Sequence, residues 1–129
     1  MANKKVETKK MLKNMEERRQ MALDMKFAQY KEEINGTEYI FQYPGKRAIM
    51  RLRDESKNER GIVQEGEFSD KLIKTIVVSP SVDLDTFDLA EYMDDYKRVS
   101  EIVNVMGQGE DFRKNPKLKK GQIILPKES

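Results

Sequence analysis

Ile34-Asn35-Gly36-Thr37-Glu38-Tyr39-Ile40-Phe41-Gln42-Tyr43-Pro44-Gly45-Lys46-Arg47 is the stretch that decides the fold. Asn-Gly supplies the two positive φ values of a two-residue type I′ turn, the strongest short hairpin signal. The turn joins residues 27–34 to residues 37–43. The second run is β-branched and aromatic, with Tyr39, Phe41 and Tyr43 alternating onto one face and Ile40 and Gln42 onto the other. A lone hairpin is marginal in water, so this one must pack on helices or pair with another chain. Pro44-Gly45 closes the strand. A helix is predicted over 46–58, with Ala48, Ile49 and Leu52 as its apolar patch and Arg47, Arg51 and Arg53 mostly outside it.

Downstream, residues 59–66 form a polar loop and a second helix runs from Glu67 to about Val77. Phe68, Leu72, Ile73, Ile76 and Val77 recur at helical spacing, and Ser79-Pro80 stops the helix. This stripe, Ile49, Leu52 and the hairpin aromatics are the expected core. Residues 84–92 read as a short helical turn with Leu84, Phe87 and Leu89. Asp94 or Asp95 opens a helix to Met106 whose apolar face is Tyr96, Val99, Ile102, Val103 and Met106. Acidic residues at its start suit the helix dipole, and Gly107 ends it.

The two ends differ from this middle. Residues 6–25 read as a helix with Met11, Met15, Ala22 and Met25 on one face. Five of the eight Met fall within the first 25 residues. Methionine conforms to varied surfaces, so this helix either packs on the core or serves as an adaptable partner-binding element. Residues 107–129 carry Gly107, Gly109, Pro116, Gly121 and Pro126 with many Lys. They read as a flexible tail with one sticky patch, Ile123-Ile124-Leu125. The expected architecture is α+β and predominantly helical, with three regions: a Met-rich leader helix (1–25), a hairpin-plus-helices domain (26–106) and a flexible basic tail (107–129).

Composition narrows the chemistry. Charged residues make up 37% of the 129 residues, against about 25% typically, and His, Cys and Trp are absent. Without Cys there is no disulfide or thiolate nucleophile. Without His there is no imidazole base and no Ser-His-Asp triad. Asp83, Asp85 and Asp88 lack the further Gly and Glu offsets of a calcium loop and read as helix caps. Gly45-Lys46 precedes a helix but lacks the phosphate-loop spacing. No catalytic residue, cofactor or metal site is expected. No stretch reaches the ~18 apolar residues of a membrane span, and no apolar run follows the basic N-terminus as a secretory signal requires. The expectation is a soluble intracellular chain. Residues 1–25 and 107–129 each carry a net charge of +3, and residues 26–106 carry −4. Basic ends suit phosphate contacts, but the acidic middle argues against a broad nucleic-acid footprint.

The order of these elements resembles the tail assembly chaperones of long-tailed phages and prophages of Gram-positive bacteria. The residues that carry the resemblance are Tyr39, Gln42, Pro44, Gly45 and Arg47, then Leu72, Val77, Val78, Pro80, Asp83 and Phe87. It spans about residues 30–105, and the long Met-rich leader departs from it. The resemblance implies a small non-enzymatic protein of the host bacterial cytoplasm that binds the tape measure protein and helps recruit tail tube subunits.

Amphipathicity, not the resemblance, nominates the contact residues. These are Met11, Met15 and Met25 on the leader, Tyr39 and Phe41 on an exposed hairpin, and Tyr96, Val99 and Val103 on the last helix. A homo-oligomer is open. A structural tail or head-tail connector component is the alternative, and a small nucleic-acid-binding regulator the third reading.

Overall fold

A computed structural model of the protein describes residues 14–19, 26–109 and 111–125. Asn35 and Gly36 have φ of 49° and 85°, the left-handed pair that a type I′ turn needs. They join β1 (Gln29–Ile34) to β2 (Thr37–Gln42), pairing Ile34 with Thr37, Glu32 with Tyr39 and Tyr30 with Phe41. Opposed residues share a face, so Tyr30, Glu32, Tyr39 and Phe41 point the same way, and all four are buried. On the other face Lys31 meets Glu38 at 3.5 Å, and Gln29 donates to Gln42 at 2.9 Å.

The hairpin is the centre of a four-stranded antiparallel sheet of order β3-β2-β1-β4. The strands β3 (Val77–Ser79) and β4 (Gln122–Ile124) flank it, so the expected two-stranded hairpin is the middle of a four-stranded sheet, and of the two expected partners it takes the helices. Val77 continues the apolar spacing of the preceding helix, which hides its strand character. In the structure the helix ends at Ile76, and Val77 turns extended with φ −79° and ψ 105°. Its β-branched side chain is then buried opposite Phe41.

Three helices cover one face of the sheet: α1 (Lys46–Glu55), α2 (Glu65–Ile76) and α3 (Tyr96–Gly107). The central helix α2 packs on α1, α3 and β2. It buries Phe68, Leu72, Ile73 and Ile76. Helix α1 adds Ile49, and α3 adds Val99, Ile102, Val103, Val105 and Met106. The fold is mixed α+β. The expected core is present, with Leu52 half-buried at its margin. Helix α1 stops short of the expected Asn58. The Ser56 hydroxyl donates to the Leu52 carbonyl at 2.7 Å, and Lys57 bridges to Val63.

The flexible tail expected over 107–129 is not what residues 111–125 form. Asp111 caps a 3-10 turn (Phe112–Lys114) by accepting from the Arg113 N–H. Phe112 and Leu118 are buried in the core, and the Phe112 ring sits 6.2 Å from that of Tyr43. The chain then passes close over β1 at Gly121. A Cβ there would lie 2.3 Å from the Lys31 carbonyl oxygen, so only glycine allows the approach. Beyond it, β4 pairs with β1. Gly, Pro and Lys make this segment look solvated, but two isolated apolar anchors and one glycine fix it. Among the described residues no helix is long and apolar enough to cross a membrane.

Candidate functional site

Residues 83–96 present an apolar line on a fixed base. One Asp83 carboxylate oxygen accepts from the Thr86 N–H and hydroxyl, both at 2.9 Å, as its helix-capping role anticipates. The Leu84 N–H donates to Asp70 of α2 at 3.0 Å. These bonds hold a 3-10 turn (Asp85–Asp88) that sends Phe87 into the core. The Leu89 carbonyl then accepts from the N–H groups of Tyr92 at 3.0 Å and Met93 at 2.9 Å. That starts a helical path through a second 3-10 turn (Met93–Asp95) into α3.

Leu89, Met93 and Tyr96 follow one another along this path at spacings of four and three, and are 57%, 55% and 40% exposed. The Tyr96 ring lies 5.5 Å from that of Phe87 beneath it. Single exposed apolar residues are ordinary on a protein surface. Phe27, Met50, Ile62 and Val78 are of that kind, Met50 on α1, Val78 on β3 and the other two on separate connecting segments. Three in line on an anchored backbone are not. Asp85, Asp88, Glu91 and Asp94 stand exposed among them, and the sequence has no Lys or Arg from Thr75 to Tyr96.

Asp95 fixes the start of α3. It is 2% exposed, and its two oxygens accept from the Tyr39 hydroxyl at 2.6 Å and the Asn35 side-chain amide at 2.8 Å. Burial first, then the bond to Asp95, pushes the Tyr39 phenol well above its usual range. The apolar line is thereby tied to the hairpin turn, 56 residues away in sequence from Asp95 to Tyr39.

Beside this face lies a groove of about 680 Å³ between the hairpin turn, α3 and the C-terminal segment. Its wall includes Lys117, Lys119 and Lys120, and Glu32 and Arg98 lie within it. Arg98 holds Glu32 with two bonds of 2.7 Å and donates to the Lys117 carbonyl at 2.7 Å. The Tyr30 hydroxyl donates to Glu32 and accepts from the Gly121 N–H. Burial, with Glu32 beside it, pushes the Tyr30 phenol up to about 12. Burial also pushes the Glu32 carboxyl up, but Arg98 and Tyr30 outweigh it and hold it below its ordinary value. Glu32 is therefore ionised at neutral pH with both oxygens engaged. It joins β1 to α3 and to residues 117–121, and it has no proton to donate.

The contact residues nominated by amphipathicity do not come together. Tyr39, Phe41, Val99 and Val103 are fully or almost fully buried, because the helices cover the hairpin's aromatic face and the sheet and C-terminal segment cover α3. They belong to the core and form no partner surface. Tyr96 is on the exposed line. Met15 is exposed on the helical turn at residues 14–19. Met11 and Met25 lie outside the described residues. Leu89 and Met93 were the missed residues; their spacing to Tyr96 within an acidic run was the available signal. Comparison of the chain with family models, curated proteins and solved structures returns no match.

Proposed function

We propose that this chain is a non-enzymatic phage tail assembly chaperone that works in the host bacterial cytoplasm, binding the tape measure protein and helping to recruit tail tube subunits. The resemblance over residues 30–105 supplies the family. The observation that carries the reading is the exposed line of Leu89, Met93 and Tyr96 on a backbone anchored by Asp70, Asp83 and Asp95. A client helix with apolar residues at i, i+4 and i+7 lies along such a line. Met93 adapts to different client side chains. The surrounding carboxylates keep the apolar line soluble and orient basic client residues.

Coexpression with the tape measure protein of the same phage tests this. The expected result is a soluble complex that copurifies, with the client insoluble alone. Replacing Leu89 and Met93 together by Lys is expected to leave stability within about 0.5 kcal/mol, as for other exposed positions. The same change is expected to cut recovery of the client about tenfold, the effect of ~1.4 kcal/mol. Undiminished recovery would place the client elsewhere.

The structural tail or head-tail component remains the second reading, favoured by β3 and β4, which end the sheet with unpaired outer edges among the described residues. It expects large oligomers without a client and the chain present in finished particles.

A further inference from the structure

The Leu89-Met93-Tyr96 face has a complement in the same sequence. Residues 75–96 hold six carboxylates and no Lys or Arg. Asp83 and Asp95 are engaged inside the domain, and the other four stand exposed beside the face. Residues 1–25 have the opposite make-up, with 7 Lys/Arg against 4 Asp/Glu and five of the eight Met. Their stripe of Met11, Met15, Ala22 and Met25 recurs at helical spacing, as the face does. The part of this leader that the structure describes, residues 14–19, is helical with every residue exposed. Met15 is 52% exposed there, so this turn takes no place in the core of its own domain.

From the apolar line, the charge complementarity and the exposed leader turn, we infer that the leader of one copy docks on the acidic apolar face of a second copy. The reciprocal contact makes a two-fold dimer. Methionines of the leader meet Leu89, Met93 and Tyr96 in the helix-on-surface manner. The Lys and Arg residues meet Asp85, Asp88, Glu91 and Asp94 and set the orientation. Self-association needs no client, so this inference holds or fails separately from the chaperone reading.

Charge reversal in the full-length chain, read by sedimentation equilibrium, tests it. One variant carries Arg18→Glu and Arg19→Glu, the exposed basic residues three and four positions on from Met15 and so beside the Met stripe at helical spacing. The other carries Asp88→Lys, Glu91→Lys and Asp94→Lys. The wild type is expected to be a dimer. Each variant alone is expected to associate about tenfold more weakly, since the ion pairs between leader and face become repulsive. The equimolar mixture is expected to recover the dimer, because each leader again meets a face of opposite sign. Matching far-UV circular dichroism of the three proteins shows the fold retained. A monomeric wild type overturns the inference. So do variants that dimerise as the wild type does, or a mixture that does not recover.

Discussion

Replacing Arg98 by Met is expected to lower the stability of this protein by about 3–5 kcal/mol, the cost of breaking a buried ion pair from one side. Glu32 is 7% exposed, and its carboxylate accepts two bonds of 2.7 Å from Arg98. Without the guanidinium the buried carboxylate keeps the Tyr30 hydroxyl as its one side-chain hydrogen-bond donor among the described residues, and the Lys117 carbonyl loses its donor. Three segments then lose their common tie: β1, α3 and the chain leading to β4.

Replacing Glu32 by Leu in the same chain is expected to recover part of the loss, since neither charge remains. The pH dependence follows from the depressed Glu32 carboxyl. A folded-state value below the unfolded 4.5 gives stability that is present above pH 4.5 and lost as pH falls through the folded value. The variant lacks this contribution, so the gap between it and the wild type is expected to narrow below about pH 4.5. Urea titration at neutral and acid pH measures both. A loss under about 1 kcal/mol at pH 7 would mean that the pair behaves as an exposed salt bridge.

Phe112→Ala is expected to cost about 3–5 kcal/mol, the range for removing a fully buried phenylalanine. Phe112 is 0% exposed, packs beside Tyr43, and anchors the segment that ends in β4. In a solvated tail the same change would stay within about 0.5 kcal/mol. The urea midpoint of the full-length variant decides between these, and a midpoint equal to that of the wild type would remove residues 111–125 from the core.

The parts of the fold legible in the sequence are those set by local periodicity. Asn35-Gly36 needs no long-range contact to specify its turn, and the Phe68 to Ile76 stripe marks its own buried face. Pairings across the chain are different in kind. Val77-Val78 and Ile123-Ile124 are short β-branched runs whose strand state depends on a free edge of the hairpin. Glu32 and Arg98 are 66 residues apart and each reads alone as a solvated charge.

Apolar spacing also marks a face as buried without saying what buries it. That is why Tyr39, Phe41, Val99 and Val103, read as partner contacts, turn out to be core. The exposed line was hidden for another reason. Leu89, Met93 and Tyr96 cross a 3-10 turn into a helix, so no single regular element contains all three. The tie between Asp95, Tyr39 and Asn35 that fixes the line is again long-range.

Hydrogen exchange on the chain carrying Arg18→Glu and Arg19→Glu, in which weakened self-association leaves the face open, alone and in complex with coexpressed tape measure protein, is the most direct test of the proposed client surface. The expected result is added protection of the amides from 89 to 96 in the complex, with those inside β1 and β2 unchanged. Protection confined to β3 and β4, or no complex to measure, would contradict it.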